Sequence, residues 1–207
     1  MIETLALLSW ATAWPYILAT VVLSYLLGSI PFGVIFARLA GAGDIRKIGS
    51  GNIGATNVLR TGKRWAAAAT LLCDGLKGFV AVIVAANMGG QIFAVFAGLG
   101  AFIGHLYPVW LGFKGGKGVA TFIGIVLGLS PLMGLVVCAA WVGLAQTFRY
   151  SSLAALVSTA LAPLGFFLFG RTLFAFLTFI LVVLIFYSHR ANIARLMRGE
   201  EPRIGAA

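Results

Sequence analysis

Charge-free runs divide the chain. No Asp, Glu, Lys or Arg occurs from Thr4 to Ala37, from Gly78 to Phe113, or from Gly118 to Phe148. An apolar helix needs roughly 20 residues to cross a bilayer at about 1.5 Å per residue. Thr4 to Ala37 supplies one span with length to spare. Trp65 to Ala86 supplies a second, although Asp74 and Lys77 interrupt it. The chain then turns at Asn87-Met88-Gly89-Gly90, and a third span ends near Trp110. Gly118 to Phe148 is 31 residues long, with Ser130-Pro131 in its middle. Proline starts helices well and interrupts them badly. Two short spans follow, Lys117 to Leu129 and Pro131 to Thr147, which need not reach the full width. Ser152 to Phe169 and Thr172 to Ser188 complete the set. The expected fold is an all-α integral membrane protein of seven transmembrane helices, some short, in one domain over residues 1–207.

Lys and Arg then orient the spans. With the C-terminus inside, the cytoplasmic set is Arg38, Arg46, Lys47, Arg60, Lys63, Arg64, Lys77, Lys114, Lys117, Arg149, Arg190, Arg195, Arg198 and Arg203, and only Arg171 lies outside. A split of 14 to 1 favours an outer N-terminus and a cytoplasmic C-terminus. Composition agrees with a membrane chain. Only 10% of the residues are charged, against about a quarter in soluble domains. That excludes a soluble globular enzyme, a disordered chain and a disulfide scaffold. The net charge is +10, and no acid occurs between Gly75 and Gly199. Such a protein faces anionic lipid or handles anionic ligands. Cys73 and Cys138 lie in apolar stretches and read as packing residues. Met1 to Ser9 lacks a basic segment, so no signal peptide is expected.

The polar residues fall into four clusters. The first is Gly49-Ser50-Gly51-Asn52-Ile53-Gly54-Ala55-Thr56-Asn57, followed by Arg60 and Lys63. It contains G-x-G-x-x-G, but it follows a membrane helix and not a strand, so no dinucleotide fold is implied. Glycines still let backbone N–H groups approach a phosphate, while Ser50, Asn52, Thr56 and Asn57 add neutral donors and Arg60 a planar fork. The second cluster is Asp74-Gly75-Leu76-Lys77-Gly78. Asp74 and Lys77 share a helix face; they form a self-neutralising brace, or Lys77 faces the anion site. The third is Gly104-His105 with Pro108, then Phe113-Lys114-Gly115-Gly116-Lys117-Gly118. Leu111 and Gly118 break the P-loop pattern. The cluster reads as a nest of backbone donors with two point charges at a helix start, and His105 as a hydrogen-bonded structural residue. The fourth places His189 and Asn192 on one helix face, among Arg190, Arg195 and Arg198. A histidine there can serve as acid, base or anion donor.

His105 and His189 lack acidic neighbours in sequence, so no metal set can be assembled, and no nucleophilic triad is present. A histidine followed five residues later by aspartate is absent too, because those positions hold Trp110 and Ala194. The chemistry should therefore rely on an activated anionic substrate, with the protein supplying positioning and positive charge.

Together the clusters resemble the bacterial acyl-phosphate:glycerol-3-phosphate acyltransferase family, the PlsY family. The residues that carry the likeness are Ser50 to Asn57 with Arg60, Asp74 to Gly78, Gly104-His105 with Pro108, Phe113 to Gly118, and His189, Asn192, Arg195 and Glu200. The resemblance implies an inner-membrane enzyme of phospholipid synthesis with its active site facing the cytoplasm. It would transfer a fatty acyl group from acyl phosphate to the sn-1 hydroxyl of glycerol 3-phosphate, giving lysophosphatidic acid and inorganic phosphate. It further implies that Ser50, Arg60, Lys117, His189 and Asn192, with Ser152, grip glycerol 3-phosphate. Gly115, Gly116 and Gly118, with Thr56 and Asn57, would hold the acyl-phosphate head. Asn52, Gly54, Lys77 and Lys114 complete the substrate-binding set, and Glu200 is expected to pair with a basic neighbour. The hydroxyl proton goes to His189 or to the departing phosphate. No cofactor, metal, nucleic acid or obligatory protein partner is implied; membrane lipid is. A phosphate-ester carrier or channel would also suit a basic glycine-rich face, but it needs polar residues through the membrane depth. A lipid-binding scaffold leaves the glycines unexplained.

Overall fold

The computed structural model describes residues 10–205. The leader, with the expectation of no signal peptide and the first residues of the first span, lies outside them. All regular structure among the described residues is helical. A bilayer offers the backbone no water, so a spanning segment must satisfy its polar groups internally. Among the described residues, four helices are long and apolar enough to cross, or five if one bent pair is counted. The chain divides into two compact units, one ending at Leu129 and one beginning at Ser130.

The first unit contains α1 (Trp10–Gly28), α2 (Phe32–Leu39), α3 (Ala55–Leu59), α4 (Arg64–Leu106) and α5 (Val119–Leu129). The 43-residue α4 breaks at Gly89 and Gly90, where the φ of +76° at Gly90 needs a residue without Cβ. An unbroken helix would hold Asp74 and His105 about 46 Å apart, at about 1.5 Å per residue. Their side chains lie 3.6 Å apart, so the two arms fold back side by side. This is the turn expected at Asn87 to Gly90.

Small residues make the seams between these helices. A Cβ on Gly28 would strike the Ala101 carbonyl, one on Gly104 the Tyr25 carbonyl, and one on Gly124 the Gly75 carbonyl. Between apolar helices in lipid there is no hydrophobic drive, so close backbone approach supplies the attraction. Outward residues such as Leu23 and Leu72 remain exposed, as a lipid-facing surface requires. The polar loop after α2 has an apolar floor of its own: Val34, Ala37, Ile45, Ile53, Val58 and Ala66 form one buried cluster.

The second unit contains α6 (Pro131–Phe148), α7 (Ser151–Leu168), α8 (Thr172–Ser188) and α9 (Arg190–Met197). Ser130 caps α6 by accepting from the Met133 N–H, with Pro131 in the first turn; this realises the break expected at Ser130-Pro131. α8 and α9 meet at 62°, with His189 at the bend. Leu177, Leu181, Ile185 and Phe166 fill the core of this unit.

Candidate active site

The 45–57 loop is built around Asn57, which is buried. Its Nδ2 donates to the carbonyls of Ile45 (2.8 Å), Ile48 (3.0 Å) and Asn52 (2.8 Å). Its Oδ1 accepts from the Ser50 N–H at 3.1 Å, with the Ser50 hydroxyl at 3.4 Å. An amide with both ends engaged inside the chain is a hub and not a ligand-facing donor. Asn57 therefore departs from its expected place at the acyl-phosphate head: it shapes the loop that others present. Asn52 acts locally as well, its Oδ1 accepting from the Gly54 N–H at 2.8 Å. Asp44 opens the loop by capping a short turn at Ile45–Lys47, and its hydrogen bonds from Arg46 hold its carboxyl well below the usual range.

Two expected site residues, Ser50 and Arg60, come together on this loop. A Cβ on Gly49 would meet Asn57 Oδ1 and the Arg60 side chain, and Ser50 follows directly. Ser50, Thr56 and Arg60 are exposed. This is the arrangement an anion site needs: exposed hydroxyls and a guanidinium on a rigid glycine turn.

The 107–118 loop differs from expectation in its backbone. The N–H groups of Phe113, Lys114, Gly115 and Gly116 donate to the carbonyls of Pro108, Leu111, Leu106 and His105, at 3.0–3.3 Å. Four donors of the expected nest are thus committed inside the chain. The glycines have a packing reason instead. A Cβ on Gly115 would strike the His105 carbonyl, one on Gly116 the His105 ring, and one on Gly118 the Phe102 ring. Gly118 also has a φ of +85°. The loop lies flat on the end of α4, presenting Lys114 exposed and Lys117 half-buried.

Lys77 does not face an open site. Its side chain is 1% exposed, with Nζ 2.7 Å from Asp74 Oδ1, 3.1 Å from the Ile30 carbonyl and over the Phe32 ring. The brace is the arrangement found, and Lys77 leaves the set of substrate ligands. His105 has an acidic neighbour after all, supplied by the fold of α4: its Nδ1 lies 3.6 Å from Asp74 Oδ1, close enough for charge to be felt but too far for a hydrogen bond, so the hydrogen bond expected of His105 is not made at Nδ1.

The second unit gathers Ser152, His189 and Asn192, all buried, around the bend between α8 and α9. His189 Nδ1 lies 2.9 Å from the Ile185 carbonyl. A carbonyl only accepts, so in the neutral ring Nδ1 carries the proton and Nε2 the lone pair. Glu201 is the residue the sequence reading passed over. One of its oxygens accepts from the Ser152 hydroxyl and from Asn192 Nδ2, both at 2.6 Å. The other accepts from Arg195 Nε at 2.7 Å. Burial pushes the Glu201 carboxyl up, but these three hydrogen bonds and the Arg195 charge outweigh it and hold the group below its ordinary value. Glu200 pairs with Arg198 at 2.7 Å on the exposed side, as expected of it. The positive φ of Gly199 ends the helix and turns the chain back. A Gly followed by acids and Pro202 was the available signal; which acid turns inward was not readable.

These features define a class: a helical integral membrane protein that presents hydroxyls and cations on glycine-built turns. Within that class, comparison is specific. The profile of the glycerol-3-phosphate acyltransferase family matches residues 18–199, and the chain belongs to that family. A glycerol-3-phosphate acyltransferase of Sinorhizobium medicae (strain WSM419) is 56% identical over 95% of this chain and 97% of its own. One of Rhodopseudomonas palustris (strain BisB5) is 57% identical over 91% and 96%. The crystal structure of PlsY, an integral membrane glycerol 3-phosphate acyltransferase, in its glycerol 3-phosphate form superposes with a TM-score of 0.88 at 42% identity, covering 92% of this chain and 96% of that one. Its lysophosphatidic acid form gives 0.84 at 39% identity with the same coverage.

Proposed function

We propose that this chain transfers an acyl group from an acyl phosphate to the sn-1 hydroxyl of glycerol 3-phosphate. The products are lysophosphatidic acid and inorganic phosphate. The observation that carries the reading is the placement of Ser50 and Arg60, and of Lys114 and Lys117, on two glycine turns of a chain nearly empty of acids. Two phosphate groups need such a surface, and carboxylates would repel them. The two crystal forms of the solved relative, with glycerol 3-phosphate and with lysophosphatidic acid, support the acceptor and the product.

An acyl phosphate is a mixed anhydride. The acceptor oxygen bonds to the acyl carbon, the bond between that carbon and the oxygen bridging to phosphorus breaks, and the phosphate leaves with that oxygen and the bonding pair. The acceptor proton goes to His189 Nε2 or to the phosphate, and the reaction balances without a cofactor. Ser50, Arg60, Lys117, Ser152, His189 and Asn192 hold glycerol 3-phosphate in this scheme. Lys114, Gly118 and Thr56 hold the donor head. Asn52, Gly54, Asn57, Gly115 and Gly116 shape the two loops. Residues 1–207 form a single membrane domain of seven spans in this reading, counting both arms of α4 and the short α5. The N-terminus is outside, and the site faces the cytoplasm from the inner membrane; the 14 to 1 division of cations supports this.

The test gives purified protein an acyl phosphate and labelled glycerol 3-phosphate. Labelled lysophosphatidic acid is expected. No product across detergents and lipids would overturn the reading, and product from acyl-CoA alone would overturn the donor.

A further inference from the structure

Three ionisable side chains, Asp74, Lys77 and His105, are buried together in the first unit, each at most 4% exposed. A buried ion pair is a weak device for stability, because well-packed apolar residues often do as well. The group therefore calls for another reason. His105 offers one. Its imidazole has two occupied edges: Asp74 Oδ1 lies 3.6 Å from Nδ1, and on the opposite edge the Gly116 backbone approaches so closely that a Cβ would fall on Nε2. Asp74 is fixed in turn by Lys77, which the Ile30 carbonyl and the Phe32 ring anchor from outside α4.

The loop above the ring has little freedom. Gly115 and Gly116 are tied to the Leu106 and His105 carbonyls at 3.0 and 3.1 Å. Lys117 is the next residue, and Lys114 is two residues before Gly116. Any movement of the ring passes directly into the backbone that carries both lysines. We propose that His105 is a positioning residue: packed between the Asp74–Lys77 pair and the Gly116 backbone, its imidazole is the platform that sets where Lys114 and Lys117 stand. The chain of contacts runs from the Asp74–Lys77 pair to the ring edge, to Gly116 and to the cations. This inference rests on the reading of the lysine loop as a phosphate site, and its test separates the two.

The test is steric complementarity, read in purified protein. Gly116→Ala should raise the apparent KM for a phosphate substrate about tenfold or more, because displacement of a positioning group by about 1 Å is felt strongly. His105→Asn keeps a polar group toward Asp74 and deletes the atoms under Gly116. Added to Gly116→Ala, it should recover most of that KM, so that the double variant is better than Gly116→Ala alone. A merely structural histidine gives losses that multiply, and that outcome overturns the proposal. Where Gly116→Ala does not fold, His105→Gln and His105→Asn decide. Gln reaches the Nε2 position and should stay within about threefold of wild type in KM, whereas Asn should not; equal effects overturn the proposal. Hydrogen exchange tests the platform without turnover. In His105→Asn the Gly115 and Gly116 amides should exchange about tenfold faster or more, with residues 91–104 unchanged. Unchanged loop protection overturns the platform. Loosened loop amides with no turnover in wild type would overturn only the acyltransfer reading.

Discussion

Asn192 Nδ2 lies 2.6 Å from Glu201 Oε1, although nine positions separate the two residues. The same oxygen takes the Ser152 hydroxyl at 2.6 Å. One carboxylate thus holds two proposed substrate ligands, one from α7 and one from α9. Glu201→Gln would replace one acceptor oxygen by a donor facing donors. It should destabilise the folded protein by about 2 kcal/mol, the scale of a hydrogen bond to a charged group. Thermal unfolding in detergent measures this. Turnover should fall with it because Ser152 and Asn192 lose their common anchor. An unchanged melting temperature with full activity would remove Glu201 from the site's support.

Acid should release the same contact. Burial raises the Glu201 carboxyl, but the bonds from Ser152, Asn192 and Arg195 lower it further, so its folded value lies below the ordinary 4.5. A group with a lowered folded value stabilises fully above its unfolded value and loses that contribution as pH falls through the folded one. The stability gap between wild type and Glu201→Gln should therefore be constant above about pH 5 and close progressively at lower pH. A gap that widens in acid contradicts the assignment.

Asp74 and Lys77 should behave as a pair. Lys77→Met leaves a buried carboxylate and should cost about 3–5 kcal/mol. Lys77→Met with Asp74→Asn should recover most of that loss. A double-variant cycle by thermal unfolding checks the coupling. Additive losses would mean that the two charges do not depend on each other.

His189→Ala and Lys117→Ala should each remove most turnover, since each deletes a group assigned to the substrate; Lys117→Ala should leave the melting temperature close to wild type, whereas His189→Ala, which also empties a buried position and frees the Ile185 carbonyl, should lower it. Steady-state rates beside unfolding curves make the comparison. Near wild-type rates in either variant would strike that residue from the site.

Asn57→Ala should act through the loop. It removes two N–H donors, shared among three backbone carbonyls and each worth about 1 kcal/mol net, and leaves those carbonyls without their partner. Asn57→Asp keeps an acceptor for Ser50 but loses the same donors, so it should be nearly as harmful. If Ser50→Ala destabilised the fold as much as Asn57→Ala, the hub would be misplaced.

The sequence by itself determined a helical membrane chain, most helix boundaries and the four polar clusters. Hydropathy, glycine turns and Ser130-Pro131 act locally, so a linear reading recovers them. Motif spacing identified the family for the same reason. Tertiary structure alone decided which polar groups look outward. Lys77 and Asn57 have the same chemistry as the site residues, but the Ile30 carbonyl and the Phe32 ring close over one in its pair with Asp74, and the loop closes around the other. The Gly115 and Gly116 amides read as donors for phosphate until the end of α4 supplies carbonyls. Glu200 and Glu201 are alike in sequence, and the turn after Gly199 sends one to solvent and one into the fold. Burial and partner choice are long-range properties, set where backbones cross, and no spacing along the chain encodes them.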